Sequence, residues 1–250
     1  MNPAFELRVN APRQSDTLAT SASSPNDILA QLPDEELATL MDQSEEVEFA
    51  VKDQLFEYNE IMDRVYFPLT GMISLVIVLK NGTMIEALTV GREGFSGPAI
   101  LNEVTKARYR AVCQIEGKFL AVRTNDFRSL VDKLPGLRRK VHRYAQYASD
   151  VTAQSVACNS IHTIEQRCAR WLLITSDAIR NIEFSLTQEF LSQMLAVRRP
   201  GVNVAMRALA RRELISHRYA KVTLLDIEGL RETSCECYGT IKERARELLD

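Results

Sequence analysis

One long helical run places the strongest constraint on how this chain can fold. From Leu137 to His162, apolar or small residues recur at alternating steps of four and three. This is the a/d spacing of a heptad repeat, and it predicts a continuous helix with a one-sided seam. The pattern favours a dimerisation helix over 133–160 that pairs with its own copy; the alternative is a helix that lies against its own domain. The predicted dimer contacts are Leu137, Val141, Tyr144, Ala148, Val151 and Ser155.

Short strand-like segments precede this helix. The clearest pair covers 72–79 and 84–90, joined through Asn81-Gly82, whose tolerance of positive φ predicts a type I′ hairpin turn. Several short strands without long helices between them predict an antiparallel β-roll or barrel. We assign this domain to 29–132.

A helix-turn-helix pattern follows the long helix. Thr187 suits the N-cap of a short helix, and 196–199 is a compact turn. Pro200 suits the first position of a second helix, because its missing N–H costs nothing there. The segment 214–225 then has the pattern of a hairpin. Together these parts predict a winged helix-turn-helix domain over 161–230.

The charge distribution points to nucleic acid. The whole chain carries a formal net charge of −2, yet seven basic residues and one acidic residue lie between Arg198 and Lys221. Such a stripe is the electrostatic footprint of a DNA-binding surface, although a solvated helix face is the alternative. At the start of the second helix, Arg can bond guanine and Asn can bond adenine, while wing tips touch phosphates. The predicted DNA contacts are Thr187, Gln188, Arg198, Arg199, Asn203 and Arg207 in the two helices, and Arg218 and Lys221 in the hairpin.

Composition and motifs exclude several classes of protein. Apolar residues make up 46% of the chain and charged residues 26%, which is ordinary for a globular protein. The longest apolar run, 73–79, is far shorter than the roughly 20 residues of a transmembrane helix, and no signal peptide is visible. We therefore expect a cytoplasmic protein with no membrane partner, and a flexible tail over 1–28, which is rich in Ser, Thr, Asn and Pro. The absence of a Ser-His-Asp spacing, a Walker motif and a dinucleotide fingerprint indicates that the chain is not an enzyme.

The five cysteines are scattered, as is typical of reduced thiols. Cys235 and Cys237 form the only close pair in the sequence, and there are only three histidines. Because a structural metal needs about four ligands, we expect no metal and no cofactor. The pair lies in a predicted C-terminal tail over 231–250, where we favour simple packing over a redox switch.

Five segments carry a family resemblance. They are LTQEFLSQMLAVRRPGVNVAMRALARRELI in the helix-turn-helix, YFPLTGMISLV, GREGFSG at 91–97, SIHTIEQRCARWLL at 160–173 and SCECY at 234–238. Together they resemble the Crp/Fnr family of bacterial transcription regulators, over about residues 29–238. The resemblance implies an α+β fold with a cyclic-nucleotide-binding-like antiparallel β-roll, a dimerisation helix and a C-terminal winged helix-turn-helix. It also implies a homodimer that binds double-stranded DNA, an unidentified small-molecule effector, and RNA polymerase as a candidate partner.

The chain departs from the cyclic-nucleotide-binding members of that family. Those members carry Glu after the glycine of the phosphate cassette, whereas Gly97 is followed by Pro98. Near the family's phosphate-binding Arg, the chain reads Arg108-Tyr109-Arg110, with a phenol in place of a small hydroxyl. The resemblance thus implies an effector pocket around Gly97, Arg108 and Arg110 that has lost the cyclic-nucleotide signature. Iron–sulfur members use an N-terminal cysteine cluster, and the N-terminal third of this chain has no cysteine.

The resemblance also bears on the DNA sequence that is read. Arg199 matches the family's guanine-reading Arg, but Pro200 and Val204 replace a Glu and a second Arg that contact bases in nucleotide-dependent members. We interpret the chain as a dimeric Crp/Fnr-type regulator that cyclic nucleotides do not control. One alternative is a regulator that still binds a nucleotide or small anion at Arg108 or Arg110. An alternative from another class is a ligand-binding sensor whose helix-turn-helix contacts protein instead of DNA.

Overall fold

The computed structural model describes residues 13–14 and 25–250, which form two compact units. Apart from the last two residues, the first unit comprises the described residues up to 75 together with 89–148. The second comprises 76–88 together with 149–248. None of the described helices has the length and apolar character needed to cross a membrane.

In the described part of the chain, eight strands form two four-stranded sheets. They are β1 (Arg13–Gln14), β2 (Ser44–Phe49), β3 (Gln54–Phe56), β4 (Arg64–Pro68), β5 (Met72–Val78), β6 (Met84–Val90), β7 (Arg110–Ile115) and β8 (Gly117–Arg123). The strand order is β1-β2-β8-β4 in one sheet and β3-β7-β5-β6 in the other. The pairs β1–β2, β2–β8, β4–β8 and β3–β7 are antiparallel. The predicted antiparallel β-roll is therefore confirmed.

An aromatic core fills the first unit. Its helices are α1 (Asp27–Ala30), α2 (Asp34–Met41), a 3-10 helix (Pro98–Asn102) and α3 (Thr124–Lys133). The ring of Phe95 lies at the centre, 5.4 Å from Phe67, 5.3 Å from Phe127 and 5.3 Å from Tyr144 between centroids. A Cβ added to Gly94 would lie 2.1 Å from the Tyr144 ring. Only glycine at 94 therefore allows this tyrosine to reach the core.

The folded unit begins earlier than predicted. Most of the predicted flexible tail lies outside the described residues, but Asn26 is fully buried. Its side chain accepts a hydrogen bond from the Ile28 amide at 3.1 Å and donates to the carbonyls of Pro68 at 3.1 Å and Gly94 at 2.9 Å. Because these bonds cap α1 and attach it to the β-roll, residues 26–28 belong to the fold and not to a tail.

The hairpin between β5 and β6 has a different turn from the predicted type I′. Gly82 has a φ of 81°, whereas Asn81 is not among the residues with positive φ. The Gly82 amide donates to the Leu79 carbonyl at 2.8 Å, and the Leu79 amide donates to the Thr83 carbonyl at 2.9 Å. This is a three-residue loop in which a type I turn is followed by a glycine bulge. The hairpin itself was predicted correctly.

The predicted long helix is present as α4 (Pro135–Ile161). Five of the six predicted dimer contacts are buried by their own chain, with exposed fractions of 0% for Tyr144, 4% for Ala148 and 8% for Val151. A heptad spacing looks the same whether the seam is covered by a partner or by the helix's own domain, and here the chain covers it. Dimerisation through this seam stays a prediction, and the burial shows that most of the seam is already covered within one chain. The outward face of α4 consists of Ala145, Ser149, Thr152, Val156 and Asn159, all partly or fully exposed.

The second unit holds the helix-turn-helix and its wing. Its remaining elements are α5 (Ile164–Ile179), β9 (Glu183–Ser185), α6 (Gln188–Met194), α7 (Arg199–Arg211), β10 (Ile215–Arg218), β11 (Lys221–Leu224), α8 (Ile227–Thr233) and α9 (Cys237–Leu249). The small sheet has the order β10-β11-β9. The predicted C-terminal tail over 231–250 is mostly helical. It is fixed in place by the buried Tyr238, whose hydroxyl donates to Asp177 at 2.9 Å.

Candidate nucleic-acid interface

Helix α6 is capped and anchored before the turn. The hydroxyl of Thr187 accepts a hydrogen bond from the Phe190 amide at 3.1 Å, as expected for an N-cap. Phe190, Leu191 and Met194 are buried and attach the helix to its domain. Thr187 remains exposed and Gln188 partly so, which places both predicted DNA contacts at the surface of the first turn.

The turn between α6 and α7 is held from below by a buried arginine. The guanidinium of Arg167, on α5, donates a hydrogen bond to the carbonyl of Leu195. Arg167 is 6% exposed, and burial lowers its pKa from the usual arginine value. Ala196 adopts a left-handed φ of 52°, which reverses the chain. Because Arg167 binds the turn itself, it sets the position from which α7 starts.

Helix α7 buries one face and presents the other. Val202, Ala205, Met206 and Leu209 are buried, at the i, i+3, i+4, i+7 spacing of an amphipathic helix. The opposite side forms what we call the reading face, which consists of Arg198, Arg199, Asn203, Val204 and Arg207.

Val204 is the member of the reading face that sequence reasoning missed. The predicted DNA contacts do not include it, yet it is 67% exposed. The complete buried stripe of α7 leaves this position out, and that stripe is the signal that could have identified it. An exposed aliphatic side chain at the start of such a helix can contact the methyl group of thymine.

Two of the predicted DNA contacts have carboxylate partners. Arg199 Nη1 lies 3.7 Å from Glu189 Oε2, and Lys221 Nζ lies 2.6 Å from Glu183 Oε1. The Arg199 side chain is 66% exposed, and an exposed ion pair of this length contributes little free energy, so the guanidinium can leave it for a base. The hydrogen bond from Lys221 lowers the pKa of the Glu183 carboxyl.

Three other basic side chains on this surface differ from Arg199 and Lys221 in their pairing. Within residues 25–250, no ion pair joins Arg198, Arg207 or Arg218 to a carboxylate. All three are exposed. They therefore give this surface its uncompensated positive charge.

The wing ends in a tight turn with an exposed aromatic side chain. Strands β10 and β11 pair antiparallel, with Arg218 opposite Lys221. Tyr219 and Ala220 have φ values of 49° and 61°, the left-handed pair of a type I′ turn. Tyr219 is fully exposed at the tip. The predicted wing thus places two cations and a phenol beside the reading face.

The three residues of the predicted effector pocket have different surroundings. Gly97 is buried with a φ of 73°, and a Cβ there would meet Ile100 at 3.2 Å and Met62 at 3.4 Å. Arg110 pairs with Glu57 at 2.6 Å, and Arg108 is exposed. Among the described residues, no hydrogen bond joins Gly97 to either arginine. The side chains nearest to Gly97 are therefore apolar.

Comparison with known proteins assigns the C-terminal part. Residues 166–233 match the family model of the Crp-like helix-turn-helix domain. This range contains α6, α7 and the wing. A search of curated proteins gave no match.

Solved structures share the fold. A CRP-family transcriptional regulator from Thermus thermophilus has a TM-score of 0.63 and 22% identity, covering 75% of this chain and 95% of its own. FixK2 from Bradyrhizobium japonicum has a TM-score of 0.63 and 14% identity, covering 77% of this chain and 98% of its own. The c-di-GMP-responsive global regulator CLP of Xanthomonas campestris has a TM-score of 0.60 and 13% identity, covering 77% of this chain and 99% of its own.

Fold and domain lead to the same assignment. A β-roll, a long helix and a winged helix-turn-helix follow one another in this chain, and the TM-scores of 0.60 to 0.63 show that those structures share its fold. The helix-turn-helix itself matches the Crp-like helix-turn-helix domain. Residues 166–233 therefore form a Crp-like helix-turn-helix domain, and the chain as a whole has the fold of the Crp/Fnr-type regulators.

Proposed function

We propose that this protein is a homodimeric regulator that reads DNA with the reading face of α7 and holds phosphates with its wing. The observation that carries the proposal is an exposed helix face with uncompensated arginines at its start, inside a Crp-like helix-turn-helix. In such a domain the N-terminal turn of the second helix enters the major groove. Arg199 would read a guanine, and Arg218 and Lys221 would contact the backbone. A cytoplasmic location and a contact with RNA polymerase belong to the same proposal.

Dimerisation through the outward face of α4 gives the regulator its symmetry. The face combines small side chains with Val156, which is 66% exposed. Small residues let two helices approach closely, and two copies of a helix-turn-helix bind two half-sites about one helical turn of DNA apart. We accordingly expect an operator with inverted repeats.

The experiment selects bound sequences from a random DNA pool, with the full-length protein and without added effector. We expect an enriched inverted repeat that contains one strong guanine in each half-site. A salt titration then separates DNA from a protein partner, because neutralised phosphates make log K fall linearly with log salt. Failure to enrich any motif, together with a flat salt dependence, would favour the sensor whose helix-turn-helix contacts protein.

We do not expect cyclic nucleotides to control the regulator. Gly97 lies among Ile100 and Met62, and Arg110 is paired with Glu57. Calorimetry with cyclic AMP and cyclic GMP should give no heat at micromolar concentrations. A clear micromolar isotherm for either nucleotide would restore the alternative in which Arg108 or Arg110 binds the phosphate.

A further inference from the structure

Four side chains with metal-binding atoms meet in the second unit, away from the reading face. The sulfurs of Cys158, Cys235 and Cys237 and a ring nitrogen of His162 all lie within 4.8 Å of one another. Cys158 Sγ is 3.5 Å from Cys235 Sγ, and Cys237 Sγ is 3.6 Å from His162 Nδ1. The three cysteines are 0%, 3% and 1% exposed.

Two distant segments build this cluster. Cys158 lies in the last turn of α4, and His162 follows one helical turn later, so both side chains project from the same side of that helix end. Cys235 and Cys237 come from the connection between α8 and α9, where α9 begins at Cys237. The arrangement is a Cys-x3-His pair facing a Cys-x-Cys pair. In sequence the two pairs are separated by 72 residues, counted from the intervening positions 163 to 234.

Two of the distances between these atoms match the edges of a tetrahedral zinc site, and all of them are within 4.8 Å. With Zn–S about 2.3 Å and Zn–N about 2.0–2.1 Å, the edges of the tetrahedron are about 3.8 Å between sulfurs and about 3.5 Å between sulfur and nitrogen. The observed distances of 3.5 Å and 3.6 Å lie close to both values. A cluster of several iron ions would spread its four ligands further apart than one central ion does.

Neighbouring side chains orient the ligands as the outer shell of a metal site does. Nε2 of His162 lies 3.0 Å from the carboxylate of Glu236, which turns Nδ1 toward the sulfurs. Gln154 Nε2 donates a hydrogen bond to Cys237 Sγ at 3.0 Å. A carboxylate on the second ring nitrogen of a ligating histidine fixes its tautomer and raises its basicity.

A buried cation matches the charge that such a site would carry. Arg170 is 6% exposed, and its Nε has no hydrogen-bond partner among the described residues. Arg170 lies close enough to Cys158 for its charge to act on that sulfur. One zinc ion with three thiolates has a net charge of −1, which this guanidinium can offset.

We propose that Cys158, His162, Cys235 and Cys237 bind one zinc ion in a closed structural site that ties the end of α4 to the start of α9. Binding exchanges protons for the metal: Zn²⁺ takes the place of three thiol protons, and three H⁺ are released when the neutral imidazole and three thiolates coordinate it. With four protein ligands no position is left for water, so the role is structural and not catalytic. The site is independent of the proposed DNA function, since none of its ligands lies on the reading face.

The first test measures zinc per chain in the full-length protein, purified with reductant and without chelator. We expect one zinc per chain by elemental analysis, and loss of that zinc in Cys235→Ser. The matched control is Cys168→Ser, which alters a fully buried cysteine on α5 outside the cluster and should keep its zinc. Glu236→Gln, an exposed change that leaves all four ligands in place, should weaken zinc binding about 10–100-fold.

A second measurement does not depend on any variant. Titration of the metal-free wild-type protein with Co²⁺ should produce thiolate-to-cobalt charge-transfer and visible d–d bands that saturate at one ion per chain, with protons released to a weak buffer. The absence of bound zinc and of cobalt–thiolate bands would overturn the proposal. So would stoichiometric iron with acid-labile sulfide, or a Cys158–Cys235 disulfide that persists under reductant. DNA binding is read separately, by the selected operator, so failure of one proposal leaves the other testable.

Discussion

The indole Nε1 of Trp171 donates a hydrogen bond to the carboxylate of Glu86 at 2.9 Å. Trp171 lies on α5, beneath the helix-turn-helix, and Glu86 lies on β6, in the outer part of the hairpin that belongs to the same compact unit. The indole is 4% exposed, and it is the only tryptophan of the chain. This bond links the outer part of the hairpin to α5, and its donor is a fluorescent reporter.

Removal of the Glu86 carboxylate should destabilise the protein. Glu86→Ala leaves the buried indole N–H without its carboxylate, and such a loss lowers the free energy of unfolding by about 1–3 kcal/mol. Glu86→Gln keeps an acceptor and should lose less. Urea unfolding measures both changes, and the emission maximum of Trp171 should shift in Glu86→Ala more than in Glu86→Gln. Equal stability of Glu86→Ala and the wild type would mean that water satisfies the indole.

The helix-turn-helix was predictable because its signals are local. Thr187 caps α6 by accepting a hydrogen bond from an amide only three residues later. The buried stripe of α7 likewise repeats within one helix. The β-roll was predictable for the same reason, since short alternating strands and Gly82 mark a hairpin whatever it packs against. The exact type of turn could not be predicted, because Asn-Gly suits both a type I′ turn and a glycine bulge.

Contacts between distant segments could not be read from sequence. Cys158 and Cys235 are 77 residues apart and only the fold brings them together, so counting close cysteine pairs did not reveal the cluster. The α4 seam shows a second limit of sequence patterns. Its spacing was real, but Tyr144 packs on Phe95 of its own chain, and periodicity alone does not identify the covering surface.

The turn of the wing stores backbone strain. Tyr219 and Ala220 both have left-handed φ values, which cost about 1–2 kcal/mol for a residue with a Cβ. Ala220→Gly should therefore stabilise the protein, by up to about 1 kcal/mol after the added flexibility of the unfolded chain is subtracted. Thermal unfolding of this variant measures the change. A lower melting temperature would show that the turn does not need the left-handed conformation.

Arg199 and Arg218 should have separable effects on DNA binding. Arg199→Ala should cost about 1–3 kcal/mol on the matched operator and relax preference at one guanine. Arg218→Ala should weaken all sequences alike and reduce the salt slope by about 1. The measurement is binding to the operator and its single-base variants over a range of salt. If Arg218→Ala changed the base preference while Arg199→Ala weakened every variant equally, the wing would read the bases and α7 would bind the phosphates.

Val204 should read a thymine methyl group. Val204→Ala is expected to lose about 1 kcal/mol at one A·T pair, the free energy of roughly one or two buried methyl groups. Replacing that thymine by deoxyuracil removes the same contact from the other side, so the two changes together should cost no more than either alone. Stability should be unaffected, because Val204 is 67% exposed. Additive losses would place the methyl contact elsewhere.

Val156 and Val151 should separate dimerisation from folding. They lie on different faces of α4: Val156 is 66% exposed and belongs to the outward face, whereas Val151 is 8% exposed and is covered by its own chain. Val156→Glu places like charges across the proposed dimer axis, so the protein should become a folded monomer that binds the operator far more weakly. Val151→Glu instead buries an unpaired carboxylate, which destabilises the chain itself by several kcal/mol. Sedimentation reports the oligomeric state and circular dichroism reports the fold, with Val156→Ala as the uncharged control.

A dimeric Val156→Glu protein would exclude the outward face as the dimer interface. A folded, monomeric Val151→Glu protein would indicate that the seam of α4 is the dimer interface.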